Sequence, residues 1–129
     1  MKEKLIKTME LTNGMQLNFY DASRRLVGDR WLISLIIRME IPVVEVLIND
    51  EKQFMDSVGE IKKVLGEKVL FEQKRDRIFV SESEKQTVFG EVYNFFIDSV
   101  LNYLSNKAFP KRYVLKQYRE KVEQESWYH

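Results

Sequence analysis

The stretch DASRRLVGDRW, residues 21–31, sets Arg24, Arg25 and Arg30 between Asp21 and Asp29. A guanidinium group presents a planar fork of donors that matches carboxylate and phosphate oxygens, so the three arginines are the first candidate ligand site, for an anion. The same charges have a plainer use. Asp21 and Asp29 can pair with the arginines across a solvated loop, each pair contributing less than about 1 kcal/mol. Read as a connection of roughly nine residues, the stretch is longer than the usual four to six or so. The paired, solvated loop is the expected state, and an anion site the alternative.

A second basic set lies near the C-terminal end. Arg112, Lys116 and Arg119 fall at i, i+4 and i+7 on one side of the last helix, with Tyr113 nearby. A groove for nucleic acid is built this way, from cations along the backbone and an aromatic ring for stacking. Against it stands the balance of 21 basic and 20 acidic residues, a net charge of +1, which supplies no field to steer the chain onto a polyanion. A solvated face whose lysine stems cover apolar surface is the expectation. The run Lys74, Arg75 and Arg77 would add to a groove only if it lay beside that helix.

The residue types needed for catalysis are scarce. The only histidine is His129, the final residue, and there is no cysteine. That removes histidine bases, thiolate nucleophiles, disulfides and the usual nitrogen and sulfur metal sites. Carboxylate pairs alone can hydrolyse bonds, but no spacing here brings two together, and Asp21 with Asp29 is not expected to form an acid/base couple. The five glycines, at 14, 28, 59, 66 and 90, are too scattered for a phosphate-binding loop. Asp21-Ala22-Ser23 resembles the D-x-S element of PilZ domains. The glycine that accompanies it there comes two positions too late here, at Gly28, and no R-x-x-x-R arm precedes Asp21, so no residue role is carried over. No catalytic residue, metal or cofactor is expected.

The richest apolar stretch, WLISLIIRMEIPVVEVLI, is broken by Arg38, Glu40, Pro42 and Glu45. A membrane span needs about 20 largely uncharged apolar residues. The start, MKEKLIKTMEL, lacks the apolar segment of a signal peptide. A soluble cytoplasmic protein without a membrane partner is expected.

These residues must be positioned by a small set of elements. Asn13-Gly14 between alternating apolar residues marks a hairpin. A three-residue loop, Thr12-Asn13-Gly14, pairs Leu11 with Met15 and Met9 with Leu17 and gathers the apolar side chains on one face. WLISLIIRMEI, residues 31–41, is apolar on both faces and reads as a central strand ended by Pro42. Residues 43–49 either continue extended along an edge or cross over. Asp50 and Gln53 form a capping box for a helix carrying Phe54, Val58, Ile61 and Leu65 and closed by Gly66. KVLFEQKRDRIFV reads as a second hairpin turning near Lys74-Arg75. Ser81 and Glu84 make another capping box for a long helix over 82–106, and Pro110 opens a last helix to about 125. The expected fold is α+β, a single domain. An antiparallel sheet of about five strands (hairpin, long central strand, second hairpin) packs against a long C-terminal helix pair, with one further helix in mid-chain.

On the long helix the apolar residues span roughly two-thirds of the circumference, where a surface helix needs a stripe of about 100°. Phe89, Phe96, Ile97 and Leu101 point well apart, and Trp127-Tyr128 add aromatic surface at the terminus. The expected function is therefore a non-catalytic binding or scaffold domain that forms a homodimer or docks a protein partner. The alternative is a binder of an anionic ligand or nucleic acid through Arg24, Arg25 and Arg30 or through Arg112, Lys116 and Arg119.

Overall fold

Asn13-Gly14 reverses the chain in the three-residue register. In the computed structural model, which describes residues 3–48 and 58–127, β1 (Lys4–Glu10) and β2 (Gln16–Asp21) are antiparallel, with Met9 opposite Leu17. The Leu11 amide donates to the Met15 carbonyl at 2.8 Å. Gly14 takes φ 87°, a left-handed conformation that a residue without Cβ adopts at no steric cost. This register buries Leu17 and Phe19 completely.

Residues 21–31 are not the nine-residue connection expected from the sequence. After a kink at Ala22-Ser23 the chain resumes as β3 (Arg24–Val27), turns at Gly28-Asp29, and returns as β4 (Arg30–Pro42). Asp21 lies opposite Leu35 and Arg24 opposite Leu32, so β2 and β3 are two segments of one bent strand running along β4. At the kink the Ala22 amide donates to the Ser34 carbonyl, and the Ser34 amide donates to Ser23 Oγ, both at 3.0 Å. Gly28 has φ 57°, and a glycine at the first central position suits a two-residue hairpin turn. The arginines obscured that signal by breaking the apolar alternation on either side of it.

β4 is the central strand, flanked by β2 and β3 on one side and β5 on the other. Leu35, Ile37, Met39 and Ile41 point to the face that the helices cover, and all are buried. Residues 43–48 form α1 (Val43–Ile48), which leaves the sheet directly after Pro42. The mid-chain helix is described as α2 (Val58–Leu65), and Gly66, at φ 87°, donates its amide to the Lys62 carbonyl at 2.7 Å, as a C-terminal glycine should. The capping pair Asp50 and Gln53, with Phe54, lies outside the described residues.

The second hairpin is corrected to a single strand, β5 (Lys68–Ser81). It pairs with β4 from Pro42 opposite Lys68 to Arg30 opposite Ser81. Lys74, Arg75 and Asp76 stand mid-strand because Ile36, Leu35 and Ser34 supply backbone partners there, and no glycine or proline interrupts the run. Five strands remain, since β3 replaces the lost arm. The second capping box is also corrected. Ser81 makes no side-chain cap and lies 3.3 Å from Ser83 Oγ instead. A 3₁₀ turn over Glu82–Glu84 leads into α3 (Lys85–Ser105), followed by α4 (Phe109–Trp127). Among the described residues no helix is long and apolar enough to cross a membrane.

α3 lies across the sheet with Val92, Phe96 and Leu104 buried. Phe19 meets Tyr93 and Phe96 edge-on at centroid distances of 5.1 and 5.9 Å. The far end of α3 is held by the first hairpin turn. Asn13 Nδ2 donates to the carbonyls of Leu104 (2.7 Å) and Asn106 (3.0 Å), and Thr12 Oγ1 donates to Ser105 (3.2 Å). The last carbonyls of a helix have no partner within it, so the turn acts as a C-terminal cap supplied from elsewhere in the chain. Asn13→Ala is expected to lower stability by about 1–3 kcal/mol, because it strips the donor from the partly buried Leu104 carbonyl. Gly14→Val should cost about 1–2 kcal/mol through strain in the left-handed region. Urea denaturation reads both, and an unchanged midpoint for either variant would refute the role given to that residue.

Candidate functional site

Strand alternation decides what the charged tip of the hairpin can do. Arg24 and Arg25 are adjacent in β3 and therefore point to opposite faces. Arg25 lies opposite Trp31 in the ladder, and its guanidinium sits over the indole at 5.9 Å. Glu82, in the 3₁₀ turn, accepts from Arg25 Nη2 and from Trp31 Nε1, each at 3.3 Å. Lys85, the first residue of α3, places its ammonium 4.0 Å from the centre of the same ring. Glu82 thus ties the hairpin tip to the helix start, with Trp31 beside two cations. Both attractions favour the ring face.

The three arginines do not converge. Arg30 stays at the turn beside Asp29, at 3.7 Å. Arg24 is exposed on the other face of β3, opposite Leu32. Asp21 does not take an arginine partner but accepts the Ser23 amide at 2.9 Å, which holds the kink. What forms instead is a cleft of about 450 Å³ between the sheet and α3, lined among others by Asp21, Trp31, Ile33, Lys85, Phe89 and Gly90. Its size is that of a small-molecule site. A second cleft of about 500 Å³, at the opposite end of the sheet, includes Asn13, whose side chain is already committed to the carbonyls of α3.

The C-terminal basic set keeps its side of α4: Arg112, Lys116 and Arg119 are all exposed. Tyr113 does not stand beside them as a stacking platform. It turns inward against Phe71 and Phe109, at 5.4 and 5.7 Å. Burial, and then the Glu120 carboxylate, raise its phenol above the ordinary tyrosine value. Arg75 lies over the Phe96 ring of α3 at 5.7 Å, and Lys74, adjacent in the strand and so on the other face, lies 3.9 Å from Asp76.

Much of the apolar surplus expected on α3 is absorbed within the chain. Phe96 is buried, and Phe89, Ile97 and Leu101 pack partly buried against the core. The exposed aromatics are others: Phe95 at 65% and Tyr103 at 64%. Trp127 ends α4, and Tyr128 and His129 lie outside the described residues.

The sheet carries one feature that the sequence does not signal. Ile33 lies opposite Arg77 but Trp31 lies opposite Val80, so Ile78 and Phe79 together face Leu32 alone. This is a β-bulge. Phe79 has φ 59°, which costs a residue with a side chain about 1–2 kcal/mol. It is nevertheless 59% exposed, and Ile78 beside it 68%.

On the face away from the helices, Arg38 joins three strands. It donates to Glu72 on β5 and to Glu3, just before β1, and lies over the Tyr20 ring of β2 at 4.9 Å. The Arg38 hydrogen bond holds the Glu3 carboxyl below the usual carboxylate range, and those bonds to Glu3 and Glu72 raise the guanidinium still further above neutrality.

No family model matches this sequence, and no curated protein and no solved structure matches it.

At concentrations low enough for the chain to be monomeric, Phe79→Gly should raise stability by about 1 kcal/mol, since glycine accepts the left-handed conformation that phenylalanine resists. A lower denaturant midpoint in that variant would mean that Phe79 contributes packing that outweighs the strain. The pH dependence follows from Glu3. A carboxyl with a lowered folded-state pKa contributes stability that is complete above its unfolded value and is lost as pH falls through the folded one. Melting temperature should therefore drop more steeply for the parent chain than for Glu3→Gln between about pH 5 and pH 2. Parallel curves would rule out the contribution.

Proposed function

We propose that the protein is a non-catalytic binding domain that forms a homodimer through the apolar surface around the β5 bulge, with the exposed flank of α3 that carries Phe95. The observation that carries this reading is Phe79, an aromatic residue kept in a strained conformation and turned to water. Strain of this kind persists where the surrounding structure enforces it and concentrates at functional positions. Phe95 supports it from the helix. Two positions along from Tyr93, it stands about 160° round α3 from the ring that packs on Phe19, and so faces away from β2. Aromatic side chains bury about 150–250 Å² each. Ile78 and Phe79 are neighbours at the bulge and Phe95 is a further aromatic on α3, all more than half exposed, and apolar surface of this kind is what self-association covers.

The contact is one of side chains and not an extension of the sheet. Lys74, Arg75, Asp76 and Arg77 occupy the middle of β5 and the bulge follows them. Charges and bulges are the devices that keep an edge strand from pairing with another. Twofold pairing of one apolar patch with its copy satisfies both constraints, and twofold dimers are the commonest oligomers.

Sedimentation equilibrium at micromolar concentration tests the reading. The expected mass is twice the chain mass of 15.5 kDa for the parent and the chain mass itself for Phe95→Glu and Phe79→Glu, with unchanged far-ultraviolet circular dichroism. A parent chain sedimenting as a monomer overturns it.

A further inference from the structure

We propose that the cleft between the hairpin tip and the start of α3 binds a free α-amino acid with a flat apolar side chain. The inference is independent of self-association. It begins from two opposite charges that line the same cleft without neutralising each other. Asp21 commits one carboxylate oxygen to the Ser23 amide, and among the described ion pairs it has no cation partner. Lys85 rests its ammonium on the Trp31 ring and has no carboxylate partner among those pairs either. Arg25, the other cation at Trp31, is already held by Glu82. A simple anion entering the cleft would meet Lys85 favourably but Asp21 unfavourably, and a simple cation would meet the reverse. A zwitterion satisfies both, its ammonium donating to Asp21 and its carboxylate accepting from Lys85. Charge-assisted hydrogen bonds of this kind are about twice as strong as neutral ones.

Beside the polar Ser23 and Gln86, the rest of the lining is apolar. Ile33 and the rings of Trp31 and Phe89 offer surface to a flat side chain. Gly90 marks the space it would fill. It lies inside α3, where glycine is about 1 kcal/mol less favourable than alanine. Close packing does not require it, because a Cβ there would have nothing within 4 Å. Gly90 lines the cleft, and a Cβ there would enter open space.

The test titrates the full chain, carrying Trp127→Phe so that Trp31 is the sole tryptophan, with L-phenylalanine while following indole emission. Two analogues serve as controls: N-acetyl-L-phenylalanine, which lacks the ammonium, and phenethylamine, which lacks the carboxylate. The expected result is a saturable change with L-phenylalanine. Each analogue should bind at least about tenfold more weakly, the smallest loss expected when a charged hydrogen bond is removed. Gly90→Leu should abolish binding by filling the cleft. Should that variant fold poorly, Lys85→Gln should reduce L-phenylalanine to the affinity of phenethylamine. No saturable change up to about 10 mM, analogues that bind within tenfold of L-phenylalanine, or full affinity in Lys85→Gln would each overturn the proposal.

Discussion

Three of the other four strands take their hydrogen bonds from β4. β2 and β3 line one side of it and β5 the other, and β1 reaches the sheet only through β2. A strand with neighbours on both sides satisfies its backbone through most of its length, so it can carry apolar residues on both faces. β4 does so: Ile33, Leu35, Ile37, Met39 and Ile41 are buried beneath the helices, and Ser34 and Ile36 are buried on the opposite face. The helices need only cover one side of this slab. The other is closed by ion pairs and by the stems of long side chains such as Arg38 and Tyr20.

The hairpin tip and the start of α3 are coupled by a single carboxylate. Glu82 lies in neither β4 nor α3 but in the turn between β5 and the helix, and it receives Trp31 and Arg25 together. Its exposure keeps each bond weak. Its position still determines where the indole stands, and hence the shape of the cleft that Trp31 and Lys85 share. At the other end, Asn13 does comparable work on the carbonyls of α3. The helix is thus held at both termini by side chains far from it in sequence or outside it in structure.

What the sequence revealed followed from local chemistry. Asn13-Gly14 fixed its turn and register because a left-handed residue and an apolar alternation agree there. Gly66 ended its helix for the same reason. The misreadings share a cause. At residues 24–27 and 74–77 charge density resembled loop and turn, yet both segments are strands because β4 offers them partners, and pairing over a distance outweighs local polarity. The Arg24, Arg25 and Arg30 set looked like a cluster only while strand alternation was left out. The contact of Lys85 with Trp31 was illegible, since nothing local connects the first turn of a helix to a residue more than fifty positions earlier. Nor does RIFV betray a bulge, which exists only relative to the strand beside it.

The separation of β4 from its second neighbour has a consequence for how the chain is made. β4 ends at Pro42 and β5 begins at Lys68, so during synthesis the first three strands can pair with β4 while its other edge has no partner. At roughly 5–20 residues per second, that edge stays bare for seconds. An apolar strand with open hydrogen bonds is a template for pairing with other chains, and contacts that close long loops form late. The ribosome-bound chain is therefore most prone to aggregate after the hairpin emerges and before β5 does, and a nascent-chain chaperone would find its target along the residues of β4.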